Sequence, residues 1–259
     1  MKLNLKPKDL TYLILGAGGL GLTLRILLYT TGMDEKGLLK SGHIATVLIW
    51  GLTILVLAGL FLLTRNITGP ERYEDAFPVS GMGAIGSVLA AAGVLTDTIS
   101  IMGTRTGLQD TICIAAGFVA IAALILTALC RLGGYKPIFL CHALLSAYFA
   151  LRLVCQYRAW SWDPQLQDYC FQLFACVGLM LTAYYRATFE ADMGNHRKLW
   201  FASLLTVYLC CMALSGDQDR LFYLTAAIWA WTNLSNLTVR PRRRRPALVL
   251  EEDEAQKED

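Results

Sequence analysis

Charge is scarce in this chain: Asp, Glu, Lys and Arg make up 17% of 259 residues, where a soluble globular domain carries roughly 25%. That shortage excludes an ordinary water-exposed surface. Other absences narrow the chemistry. No H-E-x-x-H, G-x-S-x-G or P-loop motif occurs, so the common metalloprotease, hydrolase and nucleotide signatures are missing. The three histidines, His43, His142 and His196, fall at three different depths of the topology derived below and form no joint metal site. No C-x-x-C pair occurs among the eight cysteines, which all lie in apolar segments, so they read as small packing residues and not as a disulfide or metal framework. No basic folded face is present, which argues against nucleic acid as a partner. Neither a cofactor nor a metal is expected.

What the chain has instead is apolar sequence. Hydrophobic residues make up 55% of it and the mean hydropathy is +0.47. Long apolar runs recur, each near the roughly 20 residues that cross a bilayer as a helix. The expected fold is therefore all-α, a polytopic bundle of about eight transmembrane helices over 10–30, 43–63, 79–103, 110–132, 138–157, 165–186, 199–215 and 220–236. Gly133, Gly134 and Pro137 punctuate the boundary between the fourth and fifth spans. Asp163 and Pro164 open the sixth, and Pro78 the third. The first span is too long, and broken by Arg25 where a cleavage site belongs, to be a removable signal peptide.

Lys and Arg set the orientation. With the N-terminus inside, fifteen basic residues fall on inner segments and five on outer ones, which places both termini in the cytoplasm. The sequons at Asn66, Asn233 and Asn236 then face inward as chance matches. Two regions follow: a bundle over 1–237, and a disordered cytoplasmic tail over 238–259 that begins basic and ends acidic. Arg240, Arg242, Arg243, Arg244 and Arg245 stand where anionic headgroups lie, although a topology signal is the plainer reading. Membrane lipids are the expected partners and a bacterial cytoplasmic (plasma) membrane the expected location. Nothing in the sequence fixes an oligomeric state.

One stretch points elsewhere at first. In TYLILGAGGLGLTLRIL, Gly16, Gly18 and Gly21 follow an apolar run with G-x-G-x-x-G spacing, which resembles the phosphate-binding turn of dinucleotide-fold and adenylating enzymes. That resemblance implies an acidic residue ending a second strand roughly 20 residues later. Asp34 and Glu35 sit instead in turn chemistry, and the chain continues as a helix through Tyr29. The glycines read better as a thin part of the first span, packed closely on a neighbour or able to bend.

The polar residues inside the spans are the candidate site, because ionisable groups in a bilayer are costly and usually face a bundle interior or a wet cavity. They are Arg25, Tyr29, His43, Asp97, Asp110, Arg152, Gln156, Asp168 and Gln172, all in the outer half under this topology. Tyr29, His43 and Asp110 lie at helix ends, where capping or snorkelling accounts for them. Tyr148, Arg152 and Gln156 share one face of the fifth span, and Asp168, Gln172, Thr182 and Arg186 approximate one face of the sixth. In the third span Gly83, Ser87, Ala90 and Gly93 permit close approach, which predicts a central helix.

The expectation is an outward-facing polar vestibule of Arg25, Asp97, Arg152, Gln156, Asp168 and Gln172, with Arg25 or Arg152 paired to Asp97 or Asp168. Trp160 and Trp162 between two spans read as interface anchors before a ligand lid. LTLRILLYTTG and FALRLVCQYRA form a short echo that would fit parallel repeats. The function expected is binding or transport of a small polar or amphiphilic molecule. The alternatives are an intramembrane enzyme on a lipid-like substrate and an accessory or structural subunit.

Overall fold

A computed structural model describes residues 7–32, 43–65, 67–104, 107–161, 166–216 and 219–237, with side chains from 9 onward except those of 104 and 166–168. The side chain of Asp168, the Asp163–Pro164 pair, Trp162, Asn66 and the tail with Arg240, Arg242, Arg243, Arg244 and Arg245 lie outside the described residues.

The described chain is helical, with no strand. Its helices are α1 (Pro7–Thr31), α2 (Ile44–Thr64), α3 (Tyr73–Ala76), α4 (Gly81–Thr104), α5 (Leu108–Gly133), α6 (Phe139–Trp160), α7 (Leu166–Glu190), α8 (His196–Ala213) and α9 (Arg220–Ser235). Each of the eight apolar runs falls on one long helix, and the single turn α3 was not expected. Among the described residues six helices, α1, α2 and α4 to α7, are long and apolar enough to cross a membrane. Their outward faces carry large apolar side chains, among them Leu20, Ile54, Leu62, Ile85 and Leu129.

Helix ends follow local chemistry. Asn195 caps α8 by accepting a hydrogen bond from the Lys198 N–H at 3.1 Å, and His43 caps α2 by accepting from Ala45 N at 3.3 Å. Asp110 accepts from the Gly107 N–H at 3.2 Å at the start of α5. At its end Gly134 takes a left-handed conformation, φ 72°, and the chain turns into α6.

The helices close into a ring. α4 packs on α5, α5 on α6, α6 on α7, α7 on α8, α8 on α9, and α9 returns to α4. The α1–α2 hairpin lies outside that ring, against α8. α8 is therefore the most enclosed helix, with Leu199, Leu204, Val207, Tyr208, Cys210 and Met212 fully buried. The expectation of a central third span is thus corrected: α4 contacts α5 and α9, while Met82, Ile85, Val88 and Ile99 on its other face stay exposed. Its small residues serve one seam, where Gly86 lies against Thr232 and Gly93 against Thr225 of α9.

The G-x-G-x-x-G glycines belong to the unbroken helix α1. A Cβ on Gly18 would stand 2.9 Å from Cys211 Cβ, and one on Gly21 would strike the Met212 sulfur, so these two let α1 approach α8. Gly16 and Gly19 have nothing within 4 Å. Gly16→Ala is therefore expected to stabilise α1 by about 0.5–1 kcal/mol through helix propensity, while Gly18→Ala destabilises the protein. Thermal unfolding of the two variants in detergent checks this contrast.

Residues 67–80, including α3, fold across one end of the ring. Tyr73 N donates to Asp192 Oδ1 at 3.1 Å, Gly194 N to Glu71 O at 3.2 Å, and His196 Nε2 lies 2.6 Å from Pro70 O. Lys136 also hydrogen-bonds Asp192, and these two donors hold that carboxyl below the usual range.

Candidate functional site

Arg152 occupies the middle of one end of the ring. It lies in α6 with 2% of its surface exposed, too deep for its guanidinium to reach water by extension. Its partners come from the facing helices. Nε donates to Asp97 Oδ2 of α4 at 2.8 Å and Nη2 to Asp97 Oδ1 at 2.7 Å, a two-pronged pair that suits the planar fork. Nη2 also donates to Asp219 Oδ2 at 2.8 Å, just ahead of α9. Nη1 reaches Cys176 Sγ of α7 and Tyr223 Oη of α9, each at 3.3 Å. The guanidinium carbon stands 3.9 Å from the centre of the Phe222 ring.

The acceptors are themselves held. Tyr148, one turn before Arg152, donates to Asp97 Oδ2 at 2.7 Å, and Gln156, one turn after, donates to Asp219 Oδ2 at 3.3 Å. Helical spacing thus places three polar side chains of α6 on one buried network. Burial pushes the Asp219 carboxyl up from its ordinary range, against the pull of Arg152.

A cavity of about 300 Å³ opens beside this network. Asp97, Arg152, Gln156, Asp110 and Asp219 supply its polar wall, and Ile101, Ala159 and Trp160 its apolar one. Trp160 stacks on Tyr169 with ring centres 4.4 Å apart, so this tryptophan closes a side of the cavity as well as lying near a helix end.

Searched against known protein families, curated proteins and solved structures, the chain matches none. What the site can do rests on its own geometry.

Of the residues singled out from the sequence, Asp97, Arg152 and Gln156 meet at this cavity, and Asp110, read as a helix-end residue, lines it as well. Arg25 does not join them. Its helix packs on α2 and α8, and its guanidinium donates to Met212 O at 3.0 Å and Tyr29 Oη at 2.6 Å, over the Phe171 ring. Gln172 is buried against the backbone of Gly216, away from the cavity lining. The polar stripe of the sixth span also divides: Thr182 shares a hydrogen bond with Thr206 of α8 at 2.9 Å, and Arg186 lies at the opposite end of the ring. The two arginines of the sequence echo are both buried, in different surroundings.

Three features were missed. Asp219 sits in the polar run SGDQDR, which looks like a solvated loop, yet it turns inward onto Arg152. Arg131 and Arg186, counted with the inner segments for orientation although Arg186 was also placed on the polar face of the sixth span, are 4% and 0% exposed because α5 and α7 continue past them and residues 67–80 cover them. The reading of all cysteines as packing residues is corrected as well: Cys113 of α5 and Cys155 of α6 form a disulfide in the cavity wall. Adjacent antiparallel helices brought them together, which no spacing along the chain announces. Asn233, a sequon residue, is 1% exposed and accepts from Arg131 at 3.3 Å.

Peptide mapping after alkylation without reductant is expected to recover Cys113 and Cys155 as a linked pair and to find them alkylated only after reduction. Asp97→Asn is expected to lower the unfolding temperature more than Asp219→Asn. Asp97 holds two Arg152 donors and Tyr148, whereas the charged form of Asp219 is already disfavoured by burial.

Proposed function

We propose that this protein binds and carries a small amphiphilic amine through the cavity beside Arg152. The observation that carries the reading is the cavity's lining, in which Asp97 and Asp219 share the guanidinium of Arg152 and the Asp110 side chain contributes a further polar group. Two carboxyl groups share that one guanidinium, which leaves acceptor oxygens at the wall for the N–H donors of an amine. Trp160, Ile101 and Ala159 offer apolar surface and a ring face to the rest of such a molecule.

In this reading all eight long helices span the membrane. α8 and α9 tolerate more polar sequence because other helices, and not lipid, surround them. Lys and Arg favour the orientation with both termini inside. Removing the buried Arg131 and Arg186 from the count leaves thirteen basic residues on inner segments against five on outer ones. The cavity then faces outward, the segment over 67–80 closes the cytoplasmic end, and the membrane is a bacterial plasma membrane.

Native mass spectrometry of gently purified protein tests this. Retention of a small basic molecule by the wild type and its loss in Ala159→Trp, which fills the cavity, is the expected result. A wild type that retains no small molecule, or one that Ala159→Trp retains equally, contradicts the reading.

A further inference from the structure

At the opposite end of the ring lies a second buried charge centre. Arg131 of α5 and Arg186 of α7 are 4% and 0% exposed, and both stack on Phe77 of the 67–80 segment, with guanidinium carbons 5.6 Å and 3.4 Å from the ring centre. His142 of α6 stands about 15 Å along its helix from Arg152, at a rise of about 1.5 Å per residue. Phe149, Phe222 and Trp229 fill the space between the two centres.

Charge at this centre is unbalanced. The one buried carboxylate is Glu190, whose Oε1 lies 2.7 Å from His142 Nδ1, and no carboxylate stands within 4 Å of either guanidinium among the described residues. Arg186 Nη2 donates to Tyr73 Oη and Arg131 Nη1 to Asn233 Oδ1, each at 3.3 Å. Arg131 Nη2, Arg186 Nε and Arg186 Nη1 have no acceptor among the described residues, and the Glu190 oxygens, one of them facing His142 Nδ1, accept no hydrogen bond from either guanidinium. A guanidinium does not neutralise itself by losing a proton. Two such cations close together and away from water, against the single carboxylate of Glu190, leave one positive charge unmatched among the described residues.

We propose that the Arg131–Arg186 centre binds a small inorganic anion of the chloride class, held by the unpartnered guanidinium N–H groups and covered by Tyr73 and Phe77. Ordinary aqueous hydrogen bonding cannot supply the missing charge, whereas one monovalent anion balances it: with Glu190 it offsets both arginines. The site is distinct from the cavity at Arg152, and the proposal stands whatever that cavity binds.

The test uses the full-length protein in detergent, exchanged into sodium gluconate and titrated with sodium chloride or sodium bromide at constant ionic strength. A saturable rise in unfolding temperature is expected with both halides. Glu190→Gln removes the nearest competing charge and is expected to bind bromide at least about threefold more tightly, while Arg186→Lys, which keeps the charge but loses the fork, binds it more weakly. Crystals grown in bromide are expected to show an anomalous peak between Arg131 and Arg186. Equal unfolding temperatures in gluconate and halide, a Glu190→Gln affinity no tighter than wild type, or a peak absent where water alone is found would each overturn the assignment.

Discussion

Arg152→Leu is expected to cost about 3–5 kcal/mol of stability and to lower the unfolding temperature by more than any other single substitution at the cavity. The side chain joins α6 to α4 through Asp97, to the start of α9 through Asp219 and Tyr223, and to α7 through Cys176. Leucine fills part of the volume but, among the described residues, leaves Asp97 with Tyr148 and Asp219 with Gln156 as their side-chain donors, both still enclosed. The cost therefore comes less from the lost attraction than from buried acceptors stripped of their partner. Two further variants separate these contributions. Arg152→Lys keeps one charge without the fork and falls between leucine and wild type. Arg152→Leu combined with Asp97→Asn removes the stranded charge and recovers part of the loss. Thermal unfolding in one detergent gives all three values, and a double variant as unstable as the sum of its singles would show that the two residues are not coupled.

Gly86→Leu is expected to be comparably damaging for a different reason. A Cβ at this position already falls on Thr232, with the threonine Cβ 2.9 Å away, and Thr232 is 2% exposed and tied to Trp229 O at 2.9 Å. Overpacking a tight seam costs about 1–3 kcal/mol in an ordinary core. Here the seam is the one that returns α9 to α4 and closes the ring, so forcing it apart displaces Asp97 relative to Tyr223 at one end and Gly83 relative to Asn233 at the other. The unfolding temperature drops and the cavity loses shape together. Gly103→Leu, on the same helix with open space around it, serves as the control and is expected to behave as wild type.

These two positions illustrate what the sequence makes visible. Arg152 and Asp97 stood out because a charge well inside an apolar run has few ways to exist without a partner. The glycines of α4 announced close packing, though not that the close face would be a single seam with α9. Arg131 and Glu190 were hidden by position, and the burial of Arg186, though its helix face was legible, was hidden with them: at the end of an apolar run a charge looks like a loop residue, and the 67–80 segment folding over the two arginines makes them interior. Asp219 was hidden in the same way by its polar neighbours. The disulfide depends on which helices become neighbours and at what height, and sequence carries almost nothing about that. Local physics fixed the helices, whereas the depth of their ends is a property of the assembled ring.

The most direct test of the central claim, an outward-facing cavity beside Arg152, is chemical access to its wall. Ala159 is exposed and lines the cavity about two helical turns beyond Arg152 on α6. Ala159→Cys in intact cells, treated with a charged, membrane-impermeant thiol reagent and read by peptide mass at residue 159, is expected to be labelled from outside. Labelling of residue 159 only after the membrane is permeabilised would contradict the account.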